Sequence, residues 1–379
     1  MNTISFPGLG LELNFPDGFD IGSLHIYFYG VVIAVGLLLA MWYAFAHFRK
    51  VGVDSDKAID AILGGVVGGI VGARLYYVIF KWENYQGDFW KILNIRDGGL
   101  AIYGGLIGAL LVGILIAKWR RIHIPALLDI VGVGFLLGQG IGRWGNFFNV
   151  EAFGDNTTLP WGMTGPRVVS YLTAHQAELA AVGVTVDPSQ PVHPTFLYES
   201  IWCLVGFLLL AAYLKHRKFD GEVFLFYLGF YGLERAVVEG LRTDSLMIGT
   251  LRVSQLLAAL LFIASLVVWL VIRSRIRGSH DENYMKLYVL TDEGQRILKG
   301  LPDEEEEARK KAKQEAKAAK KAKKAADVPS AAKELPGESG EDSPEPDGKA
   351  DQAAPEAEAP AEEEETDKKE DDGNGGTDH

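Results

Sequence analysis

Residues 125–149 read PALLDIVGVGFLLGQGIGRWGNFFN, an apolar run that closes on Arg143, Asn146 and Asn149. A helix needs about 20 predominantly apolar residues to cross the hydrocarbon of a bilayer, and this run supplies them. Outward from it the same pattern recurs near 24–47, 57–80, 98–118, 195–214, 221–241 and 253–273. The expected fold is therefore all-α, a polytopic membrane protein with seven transmembrane helices. The run at 24–47 does not read as a cleaved signal peptide, because nothing before Arg49 is basic.

Lys and Arg set the expected orientation. Arg49, Lys50 and Lys57 lie in the first connection, and Lys118, Arg120 and Arg121 in the third. Lys215, Arg217 and Lys218 lie in the fifth, and Arg273, Arg275 and Arg277 follow the last span. The long connection at 148–194 has only Arg167. The N-terminus should face outward and the C-terminus the cytoplasm. The second connection is mixed, with Lys81, Lys91 and Arg96 beside Glu83, Asp88 and Asp97.

Charge divides the chain into a membrane body, 1–277, and a charged cytoplasmic tail, 278–379. The tail holds 29 Asp and Glu against 16 Lys and Arg, while the whole chain is −12, so the body is nearly neutral. The acidity thus describes the tail and says nothing of the body's substrate. Within it, 303–326 should be a marginal, solvated helix with Glu early and Lys late. Beyond Asp327 disorder is expected. Cys203 is the only cysteine, which excludes a disulfide within the chain and makes a cysteine metal site unexpected. Gly64, Gly68 and Gly72, Gly104 and Gly108, and Gly134, Gly138 and Gly142 recur at four-residue spacing, which lets helix backbones approach closely.

Ionisable groups inside spanning helices are costly, at least about 2.5–3.5 kcal/mol for Arg on insertion scales. This body has several. Tyr231, Arg235, Glu239 and Arg242 share one helix face. Arg143 and Asn146 are a turn apart near Glu151 and Gly154, and His193 opens the block HPTFLYE at 193–199. An internal Arg–Glu pair that merely holds helices together would give part of the same pattern, and a lone His193 would more often be structural. Taken together the groups converge toward the outer ends of their helices. Guanidinium groups gathered in lipid suit a phosphate, which they bind in bidentate fashion. A phosphate within a membrane is most simply a phospholipid head group.

GRWGNFFNVEAFG, residues 142–154, resembles the signature Gly-Arg-x-Gly-Asn-Phe-x-Asn-x-Glu-x-x-Gly of prolipoprotein diacylglyceryl transferases, with every fixed position met. HPTFLYE, the Tyr231–Arg242 stripe and Tyr29-Gly30 resemble further blocks of that family, and the likeness spans roughly 20–275. It implies an enzyme of the bacterial cytoplasmic membrane that moves diacylglyceryl from phosphatidylglycerol to the lipobox cysteine of prolipoprotein signal peptides. It implies seven helices around a lipid-open site, no cofactor or metal, and no nucleic-acid partner. Arg143 and Arg235 would be the essential arginines. Tyr29, Asn146, Asn149, Glu151, Gly154, His193, Tyr231, Glu239 and Arg242 would join Arg143 in holding substrate. In GGLAIYGG, 98–105, Tyr103 stands where many family members have His, a residue cast as general base. A phenol of pKa about 10 is a poor base at neutral pH. The resemblance sets Tyr103 with Arg143 and Arg235 among the catalytic residues: it mainly positions substrate, or Glu151, Glu239 or Tyr103 itself assists in taking the proton. A transporter, another head-group transferase and a membrane scaffold are the rival readings. The arginines cluster at one side rather than along a path, which counts against a transporter.

Overall fold

Two hairpins precede the first helix. Asn2–Phe6 (β1) pairs antiparallel with Leu11–Phe15 (β2), and Gly18–Ile21 (β3) with Leu24–Tyr27 (β4). Alternate residues of β1, Ile4 and Phe6, point into a core while their neighbours are half-buried. The structure, a computed structural model, describes residues 1–319 apart from 96–97, 182, 244–246, 249–250, 282, 302–307 and 309–310. The disorder expected beyond Asp327 and most of the helix expected at 303–326 lie outside the described residues, though 311–319 are helical and exposed.

The apolar runs form helices: Phe28–His47 (α1), Ser55–Phe80 (α2), the short Phe89–Leu93 (α3), Ile102–Trp119 (α4) and Ile124–Asn149 (α5). Pro166–Ala181 (α6) lies in the long connection, and Thr195–Tyr213 (α7), Glu222–Val238 (α8) and Val253–Gly278 (α9) complete the set. Six of these are long and apolar enough to cross a membrane, namely α1, α2, α4, α5, α7 and α9. At 17 residues α8 is shorter than any of these six, and it carries Glu222, Glu234 and Arg235. The chain is thus mostly helical, and the all-α expectation is amended by the hairpins. The first helix starts at Phe28 rather than 24 because Leu24–Tyr27 is taken into the second hairpin. The third starts at Ile102 rather than 98, since Gly98 and Gly99 have positive φ and leave the helical path.

α2 and α4 pack backbone to backbone. A Cβ added at Gly72 would lie 2.9 Å from the Gly108 Cα, so a side chain there would force the helices apart. Arg74 of α2, buried, donates to the carbonyls of Lys91, Ile92, Asn94, Gly98 and Gly99 at 2.7–2.8 Å. All five guanidinium N–H donors are satisfied, and the loop entering α4 is wound around them. α5 is the central helix, against α1, α7 and α8. Its Asp129, fully buried, accepts from the backbone N–H of Gly221 and Phe224 at 2.9 Å, capping α8 from a neighbouring helix.

Two hydrophobic clusters result. One fills the bundle around Phe48, Ile130, Val133, Leu136, Leu210 and Tyr227. The other lies at the end of α5 where the first hairpin meets the 148–194 connection, with Ile4, Phe6, Phe147, Phe153, Val168 and Leu172. Ser5 and Thr164 exchange backbone hydrogen bonds at 2.8 Å across that seam. At the opposite end, residues after α9 fold back. Asp292–Leu298 (α10) is capped by Thr291, the Tyr288 ring stacks on His123 at 4.4 Å, and the Tyr288 N–H donates to Asp220 at 2.6 Å.

Candidate active site

Glu199, on the second turn of α7, is 1% exposed and receives three arginines. Arg143 of α5 contacts its Oε2. Arg235 of α8 lies 3.3 Å from the same oxygen, and Arg242, just beyond α8, 3.2 Å from Oε1. Arg235 also pairs with the buried Glu239, one turn on in α8's direction, at 2.5 Å. Three guanidiniums thus meet two carboxylates in one network, leaving one positive charge among these five groups. Removing one member of such a buried network strands charge, which typically costs about 3–5 kcal/mol.

The spacing of the sequence puts them there. Arg143 ends the long apolar face of α5, and the small residues around it admit large neighbours: a Cβ at Gly145 would meet the Tyr29 ring at 2.9 Å. Arg143 gives one nitrogen to Glu199, and its remaining N–H groups have no protein acceptor among the described residues. Its side chain keeps 21% of its surface exposed, so the cluster has an open side.

A second group borders the first. Glu151 accepts from Asn146 at 2.9 Å and Asn149 at 3.3 Å. Gly154 pairs with His193 and lies bridged to Arg242. A Cβ at Gly154 would sit 2.8 Å from the His193 Cβ and 2.9 Å from the Leu241 carbonyl oxygen, so only glycine fits this three-strand seam. His193 Nδ1 lies 3.1 Å from the Tyr198 hydroxyl, which also accepts from Trp161 at 2.8 Å. Burial pushes the Asp155 carboxyl up from its ordinary range, partly offset by His193 and Arg252. Trp144 donates to Ser200 at 3.1 Å, tying α5 to α7 beside Glu199.

The structure therefore brings Arg143, Arg235, Glu239 and Arg242 into one network. Asn146, Asn149, Glu151, Gly154 and His193 line its border, and Tyr29 packs over Gly145. Tyr231 is half-buried on the turn before Arg235, its ring 6.1 Å from Tyr227. Tyr103 stands apart: it is 46% exposed on the first turn of α4 and no hydrogen bond joins it to the arginines among the described residues. Two residues were not singled out from the sequence. Glu199 was quoted only within its motif, although a Glu inside an apolar helix is itself a signal. Glu234, 2% exposed with neither carboxylate oxygen hydrogen-bonded, lies beside Arg235 in sequence but on a different side of the helix.

The family model described as "Prolipoprotein diacylglyceryl transferase" matches residues 16–271. A Bacillus cereus (strain G9842) protein named phosphatidylglycerol–prolipoprotein diacylglyceryl transferase is 42% identical over 265 residues, which is 70% of this chain and 94% of that protein. Proteins of the same name from Bacillus mycoides (strain KBAB4) and Bacillus anthracis (strain CDC 684) are each 42% identical, over 267 and 265 residues, with the same shares covered.

Proposed function

Because the chain belongs to the prolipoprotein diacylglyceryl transferase family, we propose that its three-arginine cluster is the seat of the reaction. The enzyme is a multi-pass membrane transferase that moves the diacylglyceryl group of phosphatidylglycerol onto prolipoprotein, the first step of lipoprotein maturation. The acceptor is the lipobox cysteine thiol, and glycerol 1-phosphate leaves. The thiol sulfur attacks the C3 carbon of the diacylglyceryl moiety as the bond from that carbon to the phosphate oxygen breaks.

The observation that carries the assignment is the meeting of Arg143, Arg235 and Arg242 on Glu199 with Arg143 still offering N–H groups on its exposed side. Glu199 and Glu239 fix the guanidinium planes before substrate arrives. Arg143 and Arg235 then hold the phosphodiester and stabilise the charge that builds on the leaving phosphate, without reorganising. Asn146, Asn149 and Glu151 brace the end of α5, and Gly154 with His193 closes the seam beside Arg242. Tyr29, packed over Gly145, and Tyr231 line the approach to the cluster. Tyr103, exposed at the start of α4, orients an incoming substrate rather than moving its proton.

With α8 counted across the apolar layer, seven helices span the cytoplasmic membrane. The N-terminus and the arginine cluster face outward, and the charged tail lies inside. This orientation follows from Lys and Arg in alternate connections. It places the site where a translocated signal peptide meets outer-leaflet phosphatidylglycerol.

The test incubates purified protein with phosphatidylglycerol and a lipobox peptide, with mass analysis of the product. A diacylglyceryl increment in thioether linkage is expected, and Arg143→Ala should lower its formation about 100–1000-fold while the protein stays folded in membranes. Full activity in that variant would remove the arginine clamp from the mechanism.

A further inference from the structure

Glu234 is a carboxylate of this neighbourhood that the ion-pair network leaves out among the described residues. Glu199 accepts from three arginines, and Glu239 accepts from Arg235. Both oxygens of Glu234 are buried and accept from nothing among the described residues. A carboxylate offers about four lone-pair sites, and here none is taken by a hydrogen bond among the described residues. Keeping such a group in an apolar bundle is costly, and no hydrogen bond among the described residues compensates it.

Its surroundings are those of the reaction. Arg143 of α5, Glu199 and Cys203 of α7, Tyr231 and Arg235 of its own helix, and Arg242 beyond it all interact with it electrostatically. α9, packed on α8, has no charged residue between Val253 and Ile272. We propose that Glu234 carries the proton of the substrate thiol to the departing phosphate, a role that rests on the transferase reading above.

The carboxylate takes the S–H proton as sulfur bonds to the C3 carbon. The bond from that carbon to the phosphate oxygen breaks with its electron pair on oxygen, giving a glycerol phosphate dianion. Glu234 then returns the proton to that dianion, which leaves as the monoanion, and the carboxylate is restored. Atoms and charge balance with no further reagent. Charge also matches in time. When Glu234 becomes neutral the cluster gains one positive charge, at the moment the phosphate gains its second negative one, so the stabilisation is greatest in the transition state.

The experiment compares wild type, Glu234→Gln and Glu234→Asp as full chains, using phosphatidylglycerol vesicles and lipobox peptides bearing either cysteine or selenocysteine. A selenol is already ionised at neutral pH and needs no proton acceptor. Glu234→Gln should lose about 100-fold or more in kcat on the thiol peptide with KM for phosphatidylglycerol unchanged. Its rate should climb as pH approaches the thiol's value of about 8.5, and the selenol peptide should restore most of the loss. Equal losses on thiol and selenol, or a kcat within about threefold of wild type, overturn the proposal. Should Glu234→Gln fail to fold, Glu234→Asp decides: its selenol-to-thiol rate ratio rises above wild type if Glu234 moves the proton and stays equal if it does not. A wild-type enzyme that makes neither thioether from the cysteine peptide nor selenoether from the selenocysteine peptide overturns the transferase reading, and this proposal with it.

Discussion

Glu199 bears three guanidiniums at once, and that makes it the residue on which the candidate site stands. Replacing it by Gln keeps the volume and removes the counter-charge that all three share. Glu199→Gln should destabilise the protein by about 3–5 kcal/mol, read as a lowered unfolding midpoint in detergent, and abolish transfer because the arginines lose their fixed planes. The arginines were legible from the sequence because charge within an apolar run is conspicuous, and the i, i+4, i+8, i+11 spacing put Arg235, Glu239 and Arg242 on one face. Their common acceptor was less so. Glu199 stands in another helix, and nothing local says that α5, α7 and α8 bring their charges to one carboxylate. Glu234 was hidden by adjacency, since Glu-Arg in sequence reads as a pair although consecutive residues of a helix point apart.

Helices declare themselves by the length of their apolar runs, and glycine spacing declares which of them touch. Gly108→Val should prise α4 from α2, because a Cβ there already meets the Gly72 Cα at 3.0 Å. A loss of about 1–3 kcal/mol and a fall in monodisperse yield are expected. Gly30→Ala, with nothing within 4 Å of the added Cβ, should leave both unchanged. The hairpins at 2–27 were not legible, since NTISF and LELNF are short and owe their place to partners elsewhere, such as Thr164 and Phe148. α6 is not legible for a similar reason: it is amphipathic rather than apolar, and buries Val168, Leu172 and Leu179 in the cluster that holds Ile4 and Phe6. Arg74 shows a different use of an intrahelical arginine. Its five donors bind only carbonyls of the 91–99 loop, so it shapes the start of α4 and not the chemistry.

At the scale of the molecule, the family likeness ends at residue 271 while the described fold continues through a clasp at 283–301. His123 lies within that clasp, stacked on Tyr288 and 3.7 Å from Asp220. Burial lowers its pKa below the ordinary value, with Asp220 and Glu293 pulling the other way. When the clasp opens, the imidazole returns to its ordinary value of about 6.5, so opening takes up a proton. The clasp should therefore be tightest above about pH 6.5 and loosen as pH falls through that value toward the lower bound one. Hydrogen exchange at the Tyr288 amide, followed against pH, reads this directly. His123→Phe should keep the ring stack and remove the acid-side loosening. The other terminus sets a schedule. Ser5 has its partner in Thr164, about 160 residues later, so at a synthesis rate of about 5–20 residues per second the first strand waits roughly 8–30 s. Only after α1 to α5 have left the ribosome can the first hairpin close on the 148–194 connection. Ile4 and Phe6 of the first strand therefore wait unburied through that interval, before Glu199, Arg235 and Arg242 have been made.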